Sequence, residues 1–303
     1  MGSDWGAIVI ERLTWPLSFQ IKKGPLMWLF VGSAGFVFFF VLTFPYGALQ
    51  ERILDKLGRA TGWQVLATDW SRGFPIAVEW HDVTWAKPDS LTVPVAVMRV
   101  EIDVIDLLMG RQTIETLFRL AGGGQAVGRV ASPSWSFIGP ISIQGQLKQI
   151  NLAEIATPYV TRGLLQGEFS QEWENRGVEG IVFQGNGSWK AEVNELVLER
   201  LPIGKAVLPS LAFSRLTATV TCHDASCDVV EFRGDGPDGS LVAQGRLLLQ
   251  TPVQISTLDL GVTLIPGPGW ATKSAGLPIP PIPTGTPIAL KVVGPVANPR
   301  VTL

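Results

Sequence analysis

The stretch AVMRVEIDV, Ala96–Val104, sets the reading of the whole chain. Ala96, Met98, Val100, Ile102 and Val104 alternate with Val97, Arg99, Glu101 and Asp103. A period of two gives a strand one apolar and one wetter face. Upstream, Ile76, Val78 and Trp80 alternate with Ala77 and Glu79, and far downstream Leu258, Leu260, Val262 and Leu264 alternate with Thr257, Asp259, Gly261 and Thr263. Turn formers divide these runs, at Gly122-Gly123-Gly124, Asn186-Gly187 and Gly234–Gly239. Strands joined by short turns predict an antiparallel meander. The chain from Trp63 onward is therefore expected to be mainly β, with short helices at Asp106–Phe118 and Leu152–Tyr159.

Toward the N-terminus the period changes. Residues Pro25–Phe44, PLMWLFVGSAGFVFFFVLTF, are twenty residues without a charge. A helix of that length covers about 30 Å, one hydrocarbon thickness. Twelve of the residues are Leu, Phe or Val, which together favour insertion by about −4 to −7 kcal/mol. The competing reading is a cleaved signal peptide, with a shorter apolar region and small residues at its exit. Here the exit is Phe44-Pro45-Tyr46-Gly47-Ala48, and the bulky Tyr46 opposes cleavage. A single uncleaved transmembrane helix is expected.

Lys22 and Lys23 abut this span, whereas the first basic residue beyond it is Arg52. Counted more widely, Arg12, Lys22 and Lys23 are matched by Arg52, Lys56 and Arg59. The immediate flank places the N-terminus in the cytoplasm and the rest of the chain outside, which in a bacterium is the periplasm, reached from the inner membrane. After the span, Pro45 suits a first helical turn and Gly62 a C-terminal cap. Leu49, Ile53, Leu57 and Ala60 share one face between them, as in an amphipathic helix. The chain divides into a cytoplasmic lead (1–24), the span (25–44), the amphipathic helix (45–62), a β-rich domain (63–265) and a Pro-rich strap with a closing hairpin (266–303). The lead, with Trp5, Ile8, Ile10, Leu13, Trp15 and Leu17, reads equally as an interfacial helix or a disordered tail. The Pro-rich segment is expected to be extended, either as a linker or as a surface strap that covers a sheet edge.

The composition limits the chemistry. Among 303 residues, 24 Lys and Arg stand against 26 Asp and Glu, for a net charge of −2, so no basic surface for nucleic acid is expected. Two Cys and two His leave little material for metal or nucleophilic chemistry. Cys222 and Cys227 flank His223-Asp224-Ala225-Ser226 between two β-like runs, where a four-residue hairpin loop brings them into disulfide range. A disulfide is favoured over free thiols, and a metal site lacks further ligands. Gly234-Asp235-Gly236-Pro237-Asp238-Gly239 matches GxGxxG, but a strand-like segment follows it where the dinucleotide fingerprint requires a helix. It reads as a tight turn. His81-Asp82 and His223-Asp224 put adjacent side chains on opposite strand faces and form no relay. Asn186-Gly187-Ser188 is formally a glycosylation sequon that a turn explains. Trp63, Trp70, Trp80 and Trp85 read either as core or as a belt at a membrane interface. Neither a cofactor nor a catalytic set is expected, and the chain reads as no enzyme.

The stretch Phe44–Trp85, FPYGALQERILDKLGRATGWQVLATDWSRGFPIAVEWHDVTW, resembles the start of GspN, the N component of bacterial type II secretion systems. It joins a span, FPY, an amphipathic helix, a Thr61-Gly62-Trp63-Gln64-Val65 strand start and a hairpin. The run Leu208–Ser214, followed by a Cys-containing hairpin, fits the same pattern, and Val293-Gly294-Pro295-Val296-Ala297-Asn298-Pro299-Arg300-Val301 is similar to the closure of GspN and the wider AsmA-like group. The resemblance implies an inner-membrane protein with a curved, AsmA-like antiparallel sheet in the periplasm. It also implies an accessory, non-enzymatic part in type II secretion, with the inner-membrane platform or the secretin as partners. The alternative is lipid binding or shuttling, with acyl chains on an apolar sheet face carrying Ala96, Met98, Val100, Leu258, Leu260, Val262 and Leu264.

Overall fold

The computed structural model describes residues 23–61, 63–87, 91–136, 138–155, 160–177, 181–199, 202–203, 206–207, 210–251, 255–274, 283–296 and 298–302. The expected lead and the Gly62 cap lie outside these. The chain divides between Phe44 and Pro45 into two compact units. The first holds helix α1 (Lys23–Thr43). Its described large apolar side chains, among them Trp28, Phe30 and Phe38, are exposed. The side chains of residues 23–26, 37 and 41 are outside the described set. Among the described residues no helix is long and apolar enough to cross a membrane.

The second unit opens with α2 (Tyr46–Thr61), the expected amphipathic helix. The strands follow as β1 (Gln64–Gly73), β2 (Ala77–Lys87) and β3 (Leu91–Ile102), then α3 (Val104–Leu108), β4 (Gln112–Leu120), β5 (Gln125–Ser132) and β6 (Gly139–Asn151). After α4 (Leu152–Ile155) come β7 (Val160–Asn175), β8 (Ile181–Val182), β9 (Asn186–Leu198), β10 (Pro202–Ile203), β11 (Ala206–Val207), β12 (Leu211–His223), β13 (Ser226–Gly236), β14 (Gly239–Leu248) and β15 (Thr257–Pro266). The chain ends with α5 (Pro268–Ser274), β16 (Ile288–Pro295) and β17 (Arg300–Thr302). Fifteen strands form one antiparallel sheet in chain order, with β8 beside β7 off the main path and β10–β11 as a separate pair. β1 and β17 lie at opposite edges, so the sheet is open.

Short connections explain the meander, because each strand finds its partner in the segment just before it. At the β4–β5 turn, Gly123 and Gly124 adopt φ of 95° and 85°, which the glycine run permits without a Cβ clash. Three long strands break the simple alternation. Asp82, Gln149 and Glu195 have φ of 49°, 51° and 54°. The burial period shifts by one at each, so the residue after it, Val83, Ile150 or Leu196, returns buried to the apolar side, and the register slips beside Gln149 and Glu195 while it runs unbroken through Asp82.

Two expected helices are corrected. Over Asp106–Phe118 only the start is helical, in α3, and Gln112–Leu120 is strand β4. Asp103 caps α3 by accepting from the amides of Ile105 and Asp106 at 2.9 and 3.1 Å, while Thr113, Thr116 and the aromatic Phe118 favour the pleated sheet. The helix expected over Leu152–Tyr159 is the single turn α4, and residues 156–159 are outside the described set. The expected extended strap contains helix α5. Its last strands belong to the main sheet, β16 pairing with β15 and β17 with β16.

Candidate functional site

Cross-strand partners share a face, so the pairing register traces one face across the sheet. From Val100 the row passes through Thr116, Gly128, Gly145, Phe169, Trp189, Val220, Val229 and Gly245 to Leu260. Two apolar patterns about 160 residues apart in sequence therefore lie on one continuous face. Met98, Val100 and Leu264 are buried there, while Leu258, Leu260 and Val262 are half-buried. Ala96 sits at the register shift between Val95 and Val97. The exposed apolar side chains Val127, Leu164, Val242, Leu248 and Ile265 alternate with this face and stand on the other.

Two clusters lie along the apolar face. One gathers Val160, Val193, Leu196, Leu211, Phe213 and Leu264 around Trp270 of α5. The other gathers Phe183, Cys222, Cys227 and Leu249, with Trp173 and Trp189 against it. Cys222 and Cys227 are directly paired across β12 and β13 and form a disulfide. Trp85 also faces this side, edge-on to Phe118 with ring centroids 6.0 Å apart. The indole Nε1 atoms of Trp85, Trp173 and Trp189, and the Oε1 of Gln171, are buried without a hydrogen-bond partner. Unmet polar groups of this kind cost about 1–3 kcal/mol each.

The four tryptophans expected as core or belt differ in burial. Trp80 is fully buried and donates to Gln50 Oε1 on α2 at 3.3 Å. Trp85 has a buried nitrogen, and Trp63 and Trp70 are half-buried.

The opposite face is laced with charge. A groove of about 730 Å³ crosses β6, β7, β9, β12 and β13, lined by Glu168, Lys190, Glu192, Arg215, Arg233 and Asp235 among others. Arg215 holds Glu192 at 2.8 Å and Arg233 holds Asp235 at 2.7 Å, with Lys190 3.5 Å from Glu168. The Arg215 hydrogen bond keeps the Glu192 carboxyl below the usual carboxylate range, and Asp235 pushes Arg233 further up. Arg215, Arg233 and Lys190 are each met by an anion, and Lys148 and Glu231 add further charge to the same lining.

The histidines stand apart. His81 Nε2 is 3.6 Å from Glu79, whereas His223 is exposed and its Nδ1 lies 3.0 Å from Asn186 Oδ1. Asn186 begins β9, so the sequon starts a strand. Among the described residues, no group of three or more His, Cys, Asp or Glu is placed to hold a metal.

The GxGxxG segment is the hairpin between β13 and β14, and it carries a residue whose role the sequence did not reveal. Asp238 is buried, accepts from the Ala212 amide at 2.6 Å and binds Lys273 Nζ of α5 at 2.5 Å. It ties three distant segments together. The only signal was an acidic residue between Pro237 and Gly239, which any turn could carry.

Neither protein-family models, curated proteins nor solved structures give a match to this chain.

Proposed function

We propose that this protein is a membrane-anchored, non-enzymatic accessory component of a bacterial type II secretion system, with its sheet domain in the periplasm. The observation that carries the reading is the order of parts that GspN-like chains share: an apolar helix, an amphipathic helix on the first strands, and a long meander ending in the 293–301 closure. Here that closure is β16, a turn and β17. Three features support it. The apolar helix α1 leads into the domain, the Cys222–Cys227 disulfide suits an oxidising compartment, and the charged sheet face gives partners a polar surface. Its proposed partners are the inner-membrane platform and the secretin.

Deletion of the gene tests this directly. Loss of type II substrates from the medium, with platform subunits co-purifying with the tagged chain, is the expected result. Intact secretion and no co-purifying platform subunit would sink it. Protease treatment of spheroplasts separately tests the topology, since the sheet domain should be cleaved from outside.

A second reading is lipid binding on the apolar face of a curved sheet. It is favoured by the half-buried row from Thr116 to Leu260 and by the three unpartnered indole N–H groups along that face. An ester or phosphate oxygen would satisfy such donors. Native mass spectrometry of the detergent-extracted protein should then show bound phospholipid, and a lipid-free spectrum removes this reading.

A further inference from the structure

The connections between strands alternate between two ends of the sheet, and among the described residues the two ends differ. At one end lie the β1–β2 turn, α3 and the β5–β6 loop, since Gly73 pairs with Ala77, Ala77 with Glu101, and Gln112 with Ser132. This rim carries Phe74, Ile105, Leu108, Met109, Trp135 and Ile138, all between 55% and 80% exposed. Ile255 and Val296, also exposed, lie farther along the same rim. Among the described residues, no connection at the opposite end exposes a large apolar side chain.

The rim is built, not frayed. Ile105, Leu108 and Met109 stand at i, i+3 and i+4 on one side of α3. The polar residue between them turns inward instead: Asp106 accepts from Thr113 Oγ1 at 2.6 Å and faces Arg129 at 3.7 Å. The ring of Trp135 lies against Gly110, where a Cβ would stand 3.0 Å from its Nε1. Gln112 Nε2 donates to the Trp135 carbonyl, and Ser134 Oγ donates to that of Ile138 at 2.8 Å. Polar groups are spent within the loops while apolar ones face out, the reverse of a surface meant only for water.

The chain enters the domain at this same rim. Tyr46, just after Pro45, donates from its hydroxyl to the Pro75 carbonyl at 3.0 Å, and Arg72 lies 5.4 Å from its ring centroid. Any anchor formed by α1 is thus covalently joined to the rim through Phe44 and Pro45.

We infer that this rim is a membrane-docking surface, seating Phe74, the α3 trio, Trp135 and Ile138 in the interface of the bilayer that holds α1. The inference rests on the anchor proposed above. Large aromatic and aliphatic tips beside an exposed Arg111 suit the boundary between acyl chains and phosphate headgroups. Docking fixes the tilt of the sheet and keeps its opposite end away from the lipid.

The test uses the full chain in vesicles of phosphatidylcholine and phosphatidylglycerol. Single cysteines are introduced as Leu29→Cys, Met109→Cys or Ala121→Cys and given an environment-sensitive fluorophore, with quenchers carried on the lipid. All three sites are exposed, and Ala121 follows β4 at the opposite end. Expected is several-fold stronger quenching at Met109 than at Ala121, together with quenching at Leu29. Quenching at Leu29 with Met109 at the Ala121 level overturns the docking, leaves the anchor standing and assigns the rim to a protein partner. Quenching at Met109 without Leu29 keeps the docking and removes the anchor. No quenching at either site removes both.

Discussion

Trp270→Ala probes the least expected part of the fold, a helix inside the Pro-rich segment. The indole is fully buried among Val160, Val193, Leu196, Leu211, Phe213 and Leu264, which come from β7, β9, β12 and β15. Truncating a buried Trp costs about 3–5 kcal/mol, from lost burial plus the cavity left behind. No hydrogen bond is lost with it, because Nε1 has no partner. Trp270→Phe is therefore expected to cost only about 1–2 kcal/mol, as removing an unmet N–H recovers part of the lost contact. For a domain of this size the Ala variant should lower Tm by roughly 6–20 °C. Urea unfolding of the full chain in mild detergent, followed by circular dichroism, reads both values. An Ala variant within about 1 kcal/mol of the parent would show that α5 is not seated in the core. A Phe variant as costly as Ala would show that the indole nitrogen is bonded after all.

Three other outcomes are expected. Asp238→Ala strands the Ala212 amide and Lys273, and should cost about 2–3 kcal/mol in the same urea assay, with Asp238→Asn intermediate. The Cys222→Ala/Cys227→Ala double variant, which frees a loop of sequence separation 5, should lose about 2 kcal/mol by the loop-closure relation, and reductant should leave its Tm unchanged. Glu192 has a lowered folded pKa because Arg215 bonds its charged form, so its contribution is present above the ordinary Glu value of about 4.3 and fades as pH falls through the folded one. Glu192→Gln should accordingly be less stable than the parent at neutral pH and indistinguishable from it in strong acid, read as Tm against pH. A gap of constant size would refute the ion-pair account.

Legibility in the sequence followed locality. The period of two marked real strands over 96–102 and Thr257–Leu264, because strand direction and the alternation of side chains are settled within a few residues, although Asp103 and Val104 at the end of the first pattern belong to the cap and start of α3. The disulfide was legible for the same reason, as a short hairpin places its flanks opposite each other, although the turn is only Asp224-Ala225 and His223 and Ser226 pair within the ladder. Three things were not. The left-handed residues Asp82, Gln149 and Glu195 interrupt the alternation, so reading through them puts Val83, Ile150 and Leu196 on the wrong face. The helix expected through Phe118 gave way to a strand because β3 and β5 on either side satisfy its backbone. Tryptophans look alike in sequence, and only the folded chain sends Trp80 of β2 inward while Trp135 of the β5–β6 loop remains out.

By itself the sequence determined the β-rich class, the apolar helix, the amphipathic helix after it and the pairing of its two cysteines. Tertiary structure alone decided that the two apolar patterns share one face, that Asp238 joins β12 to α5, and that, among the described residues, the connections with exposed large apolar side chains lie at one rim. The physical reason is distance along the chain. Alternation and turn chemistry act between neighbours, whereas a shared face, a buried ion pair and a rim are sums over many strand registers, each fixed only once the sheet has formed.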